Sequence, residues 1–354
     1  MSRVASFEHV LAELRAEPAY QNYLTVREHV LRMKSIPGAD DVSAPSGYWS
    51  EELENIDYLL DASPLVIRRL RHHCHHVTGI RVYDYRSGKE SFRRRIEEKL
   101  ALLVERGGPE LLVSEPPELG GFGFELEGGL YNLDTLKFYE VLVAMERGEV
   151  LAQFRRPGER RVAVEIGSGW GGFAYQFKTL FPATTYVIVD LPELFVFSAT
   201  YLMTLFPDAR VSFWGDPEQP DPFASDPDLV FVPNTALSVV EPPRVDLTLN
   251  MVSFQEMTTE QVRSYVAWAH TAGSPYLYSL NRDRSGYNPE LTSVRELMAE
   301  RFWLHEIEVL PMGYGTMVDE HRKRVERARK KGRELVEKDP YRHVIGWRRL
   351  DVER

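Results

Sequence analysis

Two hydrophobic periodicities divide this chain. In the first 150 or so residues, apolar side chains recur every three to four positions, the spacing of one helix face. Phe7, Val10, Leu11 and Leu14 share such a face. Ser50 stands before Glu51 and Glu52, an acidic first turn, and Leu53, Ile56 and Leu60 then line up behind it. Stretches 65–77 and 92–104 read as two more helices, and Leu136, Tyr139, Leu142 and Val143 mark another over 135–145. Pro37, Gly38, Pro45 and Gly47 signal a loop between the early helices. After Arg156-Pro-Gly-Glu159 the pattern changes to short apolar runs separated by helical stretches, the signature of a parallel sheet. Strands are predicted at 162–166, 186–189, 228–232, 245–249, 276–280, 305–310 and 343–349, the last two as an antiparallel pair, with 211–214 able to add another. Thr258 and Gln261 form a capping box for a helix over 260–270, which presents Val262, Tyr265, Val266 and Ala269 on one face. The expected organisation is a mainly helical part, 1–155, then an α/β part, 156–354, with a charged helical insertion around 313–340. No internal repeat or low-complexity tract interrupts it.

The most specific chemistry lies where the second pattern begins. Val162-Ala-Val-Glu-Ile-Gly-Ser-Gly-Trp-Gly-Gly172 is a strand running into a glycine turn, a helix follows over 173–181, and a second strand ends on Asp190. This βαβ unit suits a nucleoside-containing cofactor, because the glycines admit close backbone approach and the second-strand acid can accept from ribose hydroxyls. Gly167, Gly169 and Gly172 satisfy G-x-G-x-x-G, so a nicotinamide dinucleotide is one candidate. Glu165 favours another. An acid at the strand end suits a cationic sulfonium ligand better than a pyrophosphate. The Tyr-x-x-x-Lys pair expected of a short-chain oxidoreductase occurs only as Tyr85 and Lys89, ahead of the glycine turn rather than after it. A third reading is a cofactor-binding protein without catalysis.

Four segments sharpen the choice: Glu165-Ile-Gly-Ser-Gly-Trp-Gly-Gly-Phe173, Asp190-Leu-Pro-Glu193, Leu205-Phe-Pro-Asp208 and Ser253-Phe-Gln-Glu-Met257. Together with the approach segment Phe122 to Tyr131, they resemble the bacterial sugar O-methyltransferase family over roughly 120–281. That resemblance implies a Rossmann-like, seven-stranded class I methyltransferase sheet, S-adenosylmethionine as cofactor, and a sugar hydroxyl of a glycan, nucleotide sugar or glycosylated metabolite as acceptor.

Ligands of such sheets bind outside the carboxyl ends of the strands. The cofactor-binding candidates are therefore Glu165, Gly167, Ser168, Gly169, Trp170, Gly171, Asp190, Leu191, Asn234, Asn250 and Met251. A sugar hydroxyl is a poor nucleophile while protonated, so a positioned base helps, by roughly 10²–10⁴-fold. Glu256 is the first candidate for that base, with His270 and His321 behind it; Asn250 and Asn281 would orient cofactor or acceptor. His270 also ends a helix, where a histidine complements the dipole. Trp170, Phe254 and Tyr287 are aromatic candidates for flanking a sulfonium or a sugar face.

Composition narrows the partners. A net charge of -10 argues against a protein that lives on phosphate backbones. The single cysteine, Cys74, excludes an intrachain disulfide framework. The start of the chain, with Arg3, Glu8 and His9, lacks a signal-like apolar core, and the apolar-rich run 194–206 is too short to span a bilayer. The expectation is a cytoplasmic protein acting on a small-molecule or oligosaccharide acceptor, without nucleic acid or membrane as partner and able to form a homo-oligomer. His72-His-Cys-His-His76 places histidines on one helix face, so a divalent metal stays open, although no metal ligand is assigned. The run 319–338 mixes Arg and Lys with Glu320, Glu326, Glu334 and Glu337 and reads as a solvated helix, placed to cover the active site or contact another subunit.

Overall fold

The computed structural model describes residues 3–36, 44–86, 89–284, 286, 288–335 and 339–352. Pro37, Gly38, Tyr287 and Glu337 lie outside the described residues. The helical part opens with α1 (Arg3–Ala16) and α2 (Pro18–Ser35), the latter started by a proline in its first turn, where no N–H partner is lost. Tyr23, Val26, Val30 and Met33 form the buried stripe of α2, at the spacing a single helix face requires. α3 (Gly47–Ile56) begins three residues before Ser50, because Ser46 is its cap and accepts from the Trp49 amide. The predicted helix over 65–77 is instead three short pieces, α4 (Pro64–Ile67), α5 (Leu70–His73) and α6 (His75–Thr78). Amides of Arg69, His72 and Cys74 bond three residues back, to Val66, Arg69 and Arg71, so a continuous α ladder never forms. α7 (Glu90–Gly107) follows. A hairpin of β1 (Phe124–Leu126) and β2 (Gly129–Tyr131) then leads into α8 (Leu133–Arg147). A reciprocal Asn132/Thr135 capping box starts α8, and nearly all its residues are buried.

The α/β part contributes β3 (Val162–Ile166), α9 (Gly172–Leu180), β4 (Thr185–Asp190), α10 (Phe195–Leu205), β5 (Val211–Phe213), β6 (Leu229–Pro233) and β7 (Leu247–Met251). It continues with α11 (Thr259–Thr271), β8 (Tyr276–Asn281), α12 (Val294–Ala299), β9 (Phe302–Ile307), α13 (Val318–Lys330) and β10 (Arg342–Arg348). These eight strands form one sheet in the order β5-β6-β4-β3-β7-β8-β10-β9. All neighbours pair in parallel except β10, which runs antiparallel to both β8 and β9. This is the α/β, Rossmann-like sheet the sequence predicts, with eight strands rather than seven because the short edge strand β5 joins it. β3, β4, β6 and β7 are buried along their whole length, which is why they read as continuous apolar runs rather than alternating ones. The capping box Thr258/Gln261 is present as predicted. β9 begins at Phe302, three residues ahead of the predicted strand; its partly exposed, charged middle hides its start from a hydrophobicity reading. One apolar core joins the two parts, running from Tyr23, Val26 and Met33 through Leu136 and Phe138 to Tyr186, Phe231 and Ile345.

Candidate active site

The glycine turn links β3 to α9. Gly167, Gly169 and Gly171 all have positive φ, at 73°, 58° and 82°. At Gly167 the freedom is needed twice over, since a Cβ there would stand 2.1 Å from the Ser253 hydroxyl oxygen. Asp190, at the end of β4, receives the Gly169 amide at 2.8 Å and the Leu191 amide at 2.9 Å. Its first visible task is thus to tie the turn to the strand end. Burial pushes its carboxyl up to about 7, against the pull of those backbone donors.

A cleft of about 1020 Å³ opens over the carboxyl ends of β3, β4 and β7. Of the sequence candidates, Glu165, Gly167, Ser168, Gly169, Trp170, Asp190, Leu191, Asn234, Met251 and Glu256 line it. Glu165 is fully buried. It accepts from the Tyr186 hydroxyl at 2.9 Å, while its other oxygen is buried without a hydrogen-bond partner. Burial pushes its carboxyl up to about 8. Glu256 follows Phe254 and Gln255 in a single 3-10 turn beyond β7 and accepts from the Trp49 indole N–H at 3.2 Å. Burial pushes it too up to about 8, with the Trp49 bond opposing.

Asn250 and Asn281 stand one layer behind the cleft. The Asn250 amide donates to the Ile166 carbonyl at 2.8 Å and to the Ser253 hydroxyl at 2.5 Å, and its oxygen receives the Phe254 amide at 3.0 Å. Asn281 donates to Asn250 at 2.8 Å and to Ser279 at 2.8 Å, and its oxygen receives the Gln255 amide at 3.4 Å. These amides hold the loop that carries Glu256.

Several candidates are not brought to the cleft, and Trp170, which borders it, has its ring engaged elsewhere. His270 is buried at the end of α11, where its Nε2 meets the Arg349 carbonyl at 2.8 Å and its ring packs edge-on against Phe302. His321 lies on α13 beside a different cavity. Gly171 caps α9 against Ser198. The Trp170 ring is buried under the Arg71 guanidinium, 3.7 Å from its centroid, with Tyr201 and Phe138 on its other sides. Phe254 is buried against Tyr265. Neither ring is therefore free to flank a ligand. Arg71 is itself buried, paired with Glu115 at 2.7 Å and Asp134 at 2.8 Å, so a full ion-pair cluster underlies the glycine turn.

Other residues in the cleft have no sequence signal of their own. Lys137, on α8, lines it and pairs with Asp134 at 3.3 Å. Ser46 and Trp49 enter from α3, Gln261 and Tyr265 from α11, and Tyr314 from the segment before α13. Of these, the Gln261 capping box was read from the sequence, whereas the cap of α3 falls at Ser46 and not at Ser50. The histidine run is engaged locally: the Tyr58 hydroxyl meets His73 Nδ1 at 2.6 Å, and His75 Nδ1 meets the His72 carbonyl at 3.0 Å. Among the described residues no group of three or more His, Cys, Asp or Glu is arranged to hold a metal ion. Among them, too, no helix is long and apolar enough to cross a membrane.

No family model matches the chain, and no curated protein matches it. Solved structures with a similar course include phosphoethanolamine N-methyltransferase 2 from Haemonchus contortus, bound to phosphomonomethylethanolamine and S-adenosylhomocysteine. It is 12% identical, covers 62% of this chain and 58% of its own, and has a TM-score of 0.35. The N-methyltransferase NodS from Bradyrhizobium japonicum WM9 is 11% identical over 61% of this chain and 96% of its own, at a TM-score of 0.36. Precorrin-6y C5,15-methyltransferase from Geobacter metallireducens GS-15 is 12% identical over 57% and 87%, at 0.34. The chain thus spans under two thirds of the first of these proteins. What defines the fold is the strand order and the single antiparallel strand.

Proposed function

We propose that this protein is an S-adenosylmethionine-dependent O-methyltransferase acting on a sugar hydroxyl. The observation that carries the cofactor reading is the charge of the cleft. Glu165, Asp190 and Glu256 all face it with proton affinities raised by burial, and among the described residues Lys137 is the one lysine or arginine that lines it. Near pH 7 Glu165 and Glu256 are largely protonated in the empty cleft and Asp190 about half so; a cationic ligand favours their ionisation, whereas a pyrophosphate opposes it. The unpartnered Glu165 oxygen is a buried acceptor awaiting a donor, and such an atom is costly to leave unmade. S-adenosylmethionine fits these features with a sulfonium, an ammonium and ribose hydroxyls, and when bound it supplies an electrophilic methyl group. Glu165 would face the cationic end, Asp190 the ribose through its remaining lone pairs, and Lys137 the carboxylate.

Glu256 is the base in this reading. It sits at the cleft face of the β7 loop, held by the Trp49 indole, and the Asn250–Asn281 pair fixes the backbone that carries it. The protein's task is then to align a hydroxyl with the transferring methyl and to take its proton as the new bond forms. The acceptor class rests on the sequence resemblance through Ser253 to Met257. The experiment is methyl transfer from labelled S-adenosylmethionine to a panel of sugars, nucleotide sugars and glycosides, with wild type and Glu256→Gln. Transfer by wild type and a loss of 10²-fold or more in the variant, with S-adenosylhomocysteine affinity kept within threefold, are expected. Full activity in Glu256→Gln would remove the base assignment; transfer to amines alone would remove the O-methyl reading.

The mainly helical part, 1–155, is in this reading the acceptor-shaping part, since it sends Trp49 and Lys137 into the cleft of the part from 156 onward.

A further inference from the structure

A second cavity, of about 1430 Å³, lies beside the first. It sits over the carboxyl end of β8, at Leu280, the end of β9, at Ile307, and the start of β10, at Arg342 and His343. This is the same edge of the sheet on which the first cleft opens, so the two form neighbouring stations along one ligand-binding edge. Tyr314 lines both. Its ring packs against Tyr341 at 4.7 Å between centroids, and the Tyr341 hydroxyl receives the Gln255 side-chain amide at 3.1 Å. The partition between the cavities is therefore a pair of tyrosines, tied to the loop that carries Glu256. Lys99 holds the Tyr314 end from below, donating to the carbonyls of Tyr314 and Thr316.

The walls have a graded chemistry. At the floor, Glu140 and His343 are buried and meet at 3.2 Å; the other ring nitrogen of His343 meets the Tyr278 hydroxyl at 2.7 Å. The second Glu140 oxygen has no hydrogen-bond partner and lies 3.9 Å from the Lys99 ammonium. On the facing wall, His321, Val325 and Arg329 follow at four-residue intervals along α13, so one stripe of that charged helix borders the cavity. The Nδ1 of His321 is buried without a partner. Leu310, Met312 and Pro340 add apolar lining, and Glu306, Glu308 and Glu334 add carboxylates.

Which ligand fits is decided by the floor. A carboxylate oxygen repels a phosphate or carboxylate at the deepest point, while Arg329 and Arg333 are exposed at the rim. The Glu140 oxygen at the floor calls for a hydroxyl donor, the His321 Nδ1 on the facing wall for a hydroxyl as either donor or acceptor, and tyrosine faces offer apolar contact to the C–H side of a ring. A polyhydroxylated ring has both.

We propose that this second cavity is a carbohydrate subsite holding the sugar unit next to the one methylated, so that the acceptor is a glycan of two or more units. This rests on the sugar methyltransferase reading above. The assay is retention on an array of defined glycans running from methyl glycosides to tetrasaccharides, with UDP-hexoses included, by protein loaded with S-adenosylhomocysteine. Wild type, Val325→Trp and His321→Ala are compared. Val325 is 41% exposed on the outer wall, so a tryptophan there fills the cavity without entering the cofactor cleft. Wild type should retain glycans of two or more units, and each variant should retain them at least tenfold less, with S-adenosylhomocysteine affinity within twofold of wild type. Retention confined to methyl glycosides or UDP-hexoses, equal retention by both variants, or no retention of any glycan by a protein that binds S-adenosylhomocysteine would overturn the subsite. A wild type that does not bind S-adenosylhomocysteine would overturn the methyltransferase reading, and the subsite with it.

Discussion

Glutamine in place of Glu165 separates what the fold needs at that position from what the cofactor needs. The side chain is fully buried at the end of β3 and keeps one hydrogen bond, from Tyr186. Unfolded, this carboxyl gives up its proton near 4.5; folded, it does so near 8. A carboxyl raised on folding binds a proton more tightly in the native state, so its contribution to stability falls as pH climbs from about 4.5 to about 8. At pH 7 that loss amounts to about 3 kcal/mol. Glutamine has the same shape, accepts the Tyr186 hydroxyl through its amide oxygen and carries no proton to gain. Glu165→Gln should therefore unfold at a higher urea concentration than wild type at pH 7.5 and at nearly the same one at pH 5. Its affinity for S-adenosylhomocysteine, whose ammonium would face the carboxylate, should fall at least tenfold. Urea titrations followed by tryptophan fluorescence at the two pH values, without ligand, decide it. A variant less stable than wild type at pH 7.5, or one with the same pH dependence, would refute the argument that an unneutralised buried acid is held here for a cationic ligand.

Three further outcomes follow from the same geometry. Catalytic efficiency should rise with pH through the region around 8, where Glu256 loses its proton in the empty cleft, and Glu256→Gln should lack that limb. Trp49→Phe removes the donor that lowers this proton affinity, so a pH–rate profile should show the limb displaced to higher pH; an unmoved limb would count against Glu256 as the titrating group. Gly167→Ala combines a φ of 73° with a Cβ 2.1 Å from the Ser253 hydroxyl, and should lower stability by at least about 1–2 kcal/mol in a thermal melt while weakening S-adenosylhomocysteine binding; a neutral result would mean that the turn is not held as described.

The sheet was legible in the sequence wherever the information is local. The strand, glycine turn, helix and Asp190 of β3 to β4 lie within thirty or so residues, and each apolar run there is buried on both faces, so periodicity and turn chemistry agree. Residues that arrive from a distance were not legible. Trp49 reaches Glu256 across 207 positions, and Lys137 is set in place by the Arg71–Asp134 cluster rather than by any motif. That same cluster explains why the Trp170 ring is not free to flank a ligand: its indole is taken by Arg71, from a segment that reads as one helix and folds as three. His270 had the residue type of a base but the position of a helix end, and the position prevails. The charged segment 319–338 reads as a solvated helix able to cover a site, but its thin apolar stripe, with Val325 between His321 and Arg329, gave no sign of the cavity those residues line.

Titration of the protein by calorimetry with S-adenosylhomocysteine, and separately with NAD and NADP, tests the central claim most directly. A single site for S-adenosylhomocysteine in the micromolar range, about −8 kcal/mol, with no heat from either dinucleotide is the result the acidic cleft predicts. Binding of a dinucleotide, with none of S-adenosylhomocysteine, would contradict it.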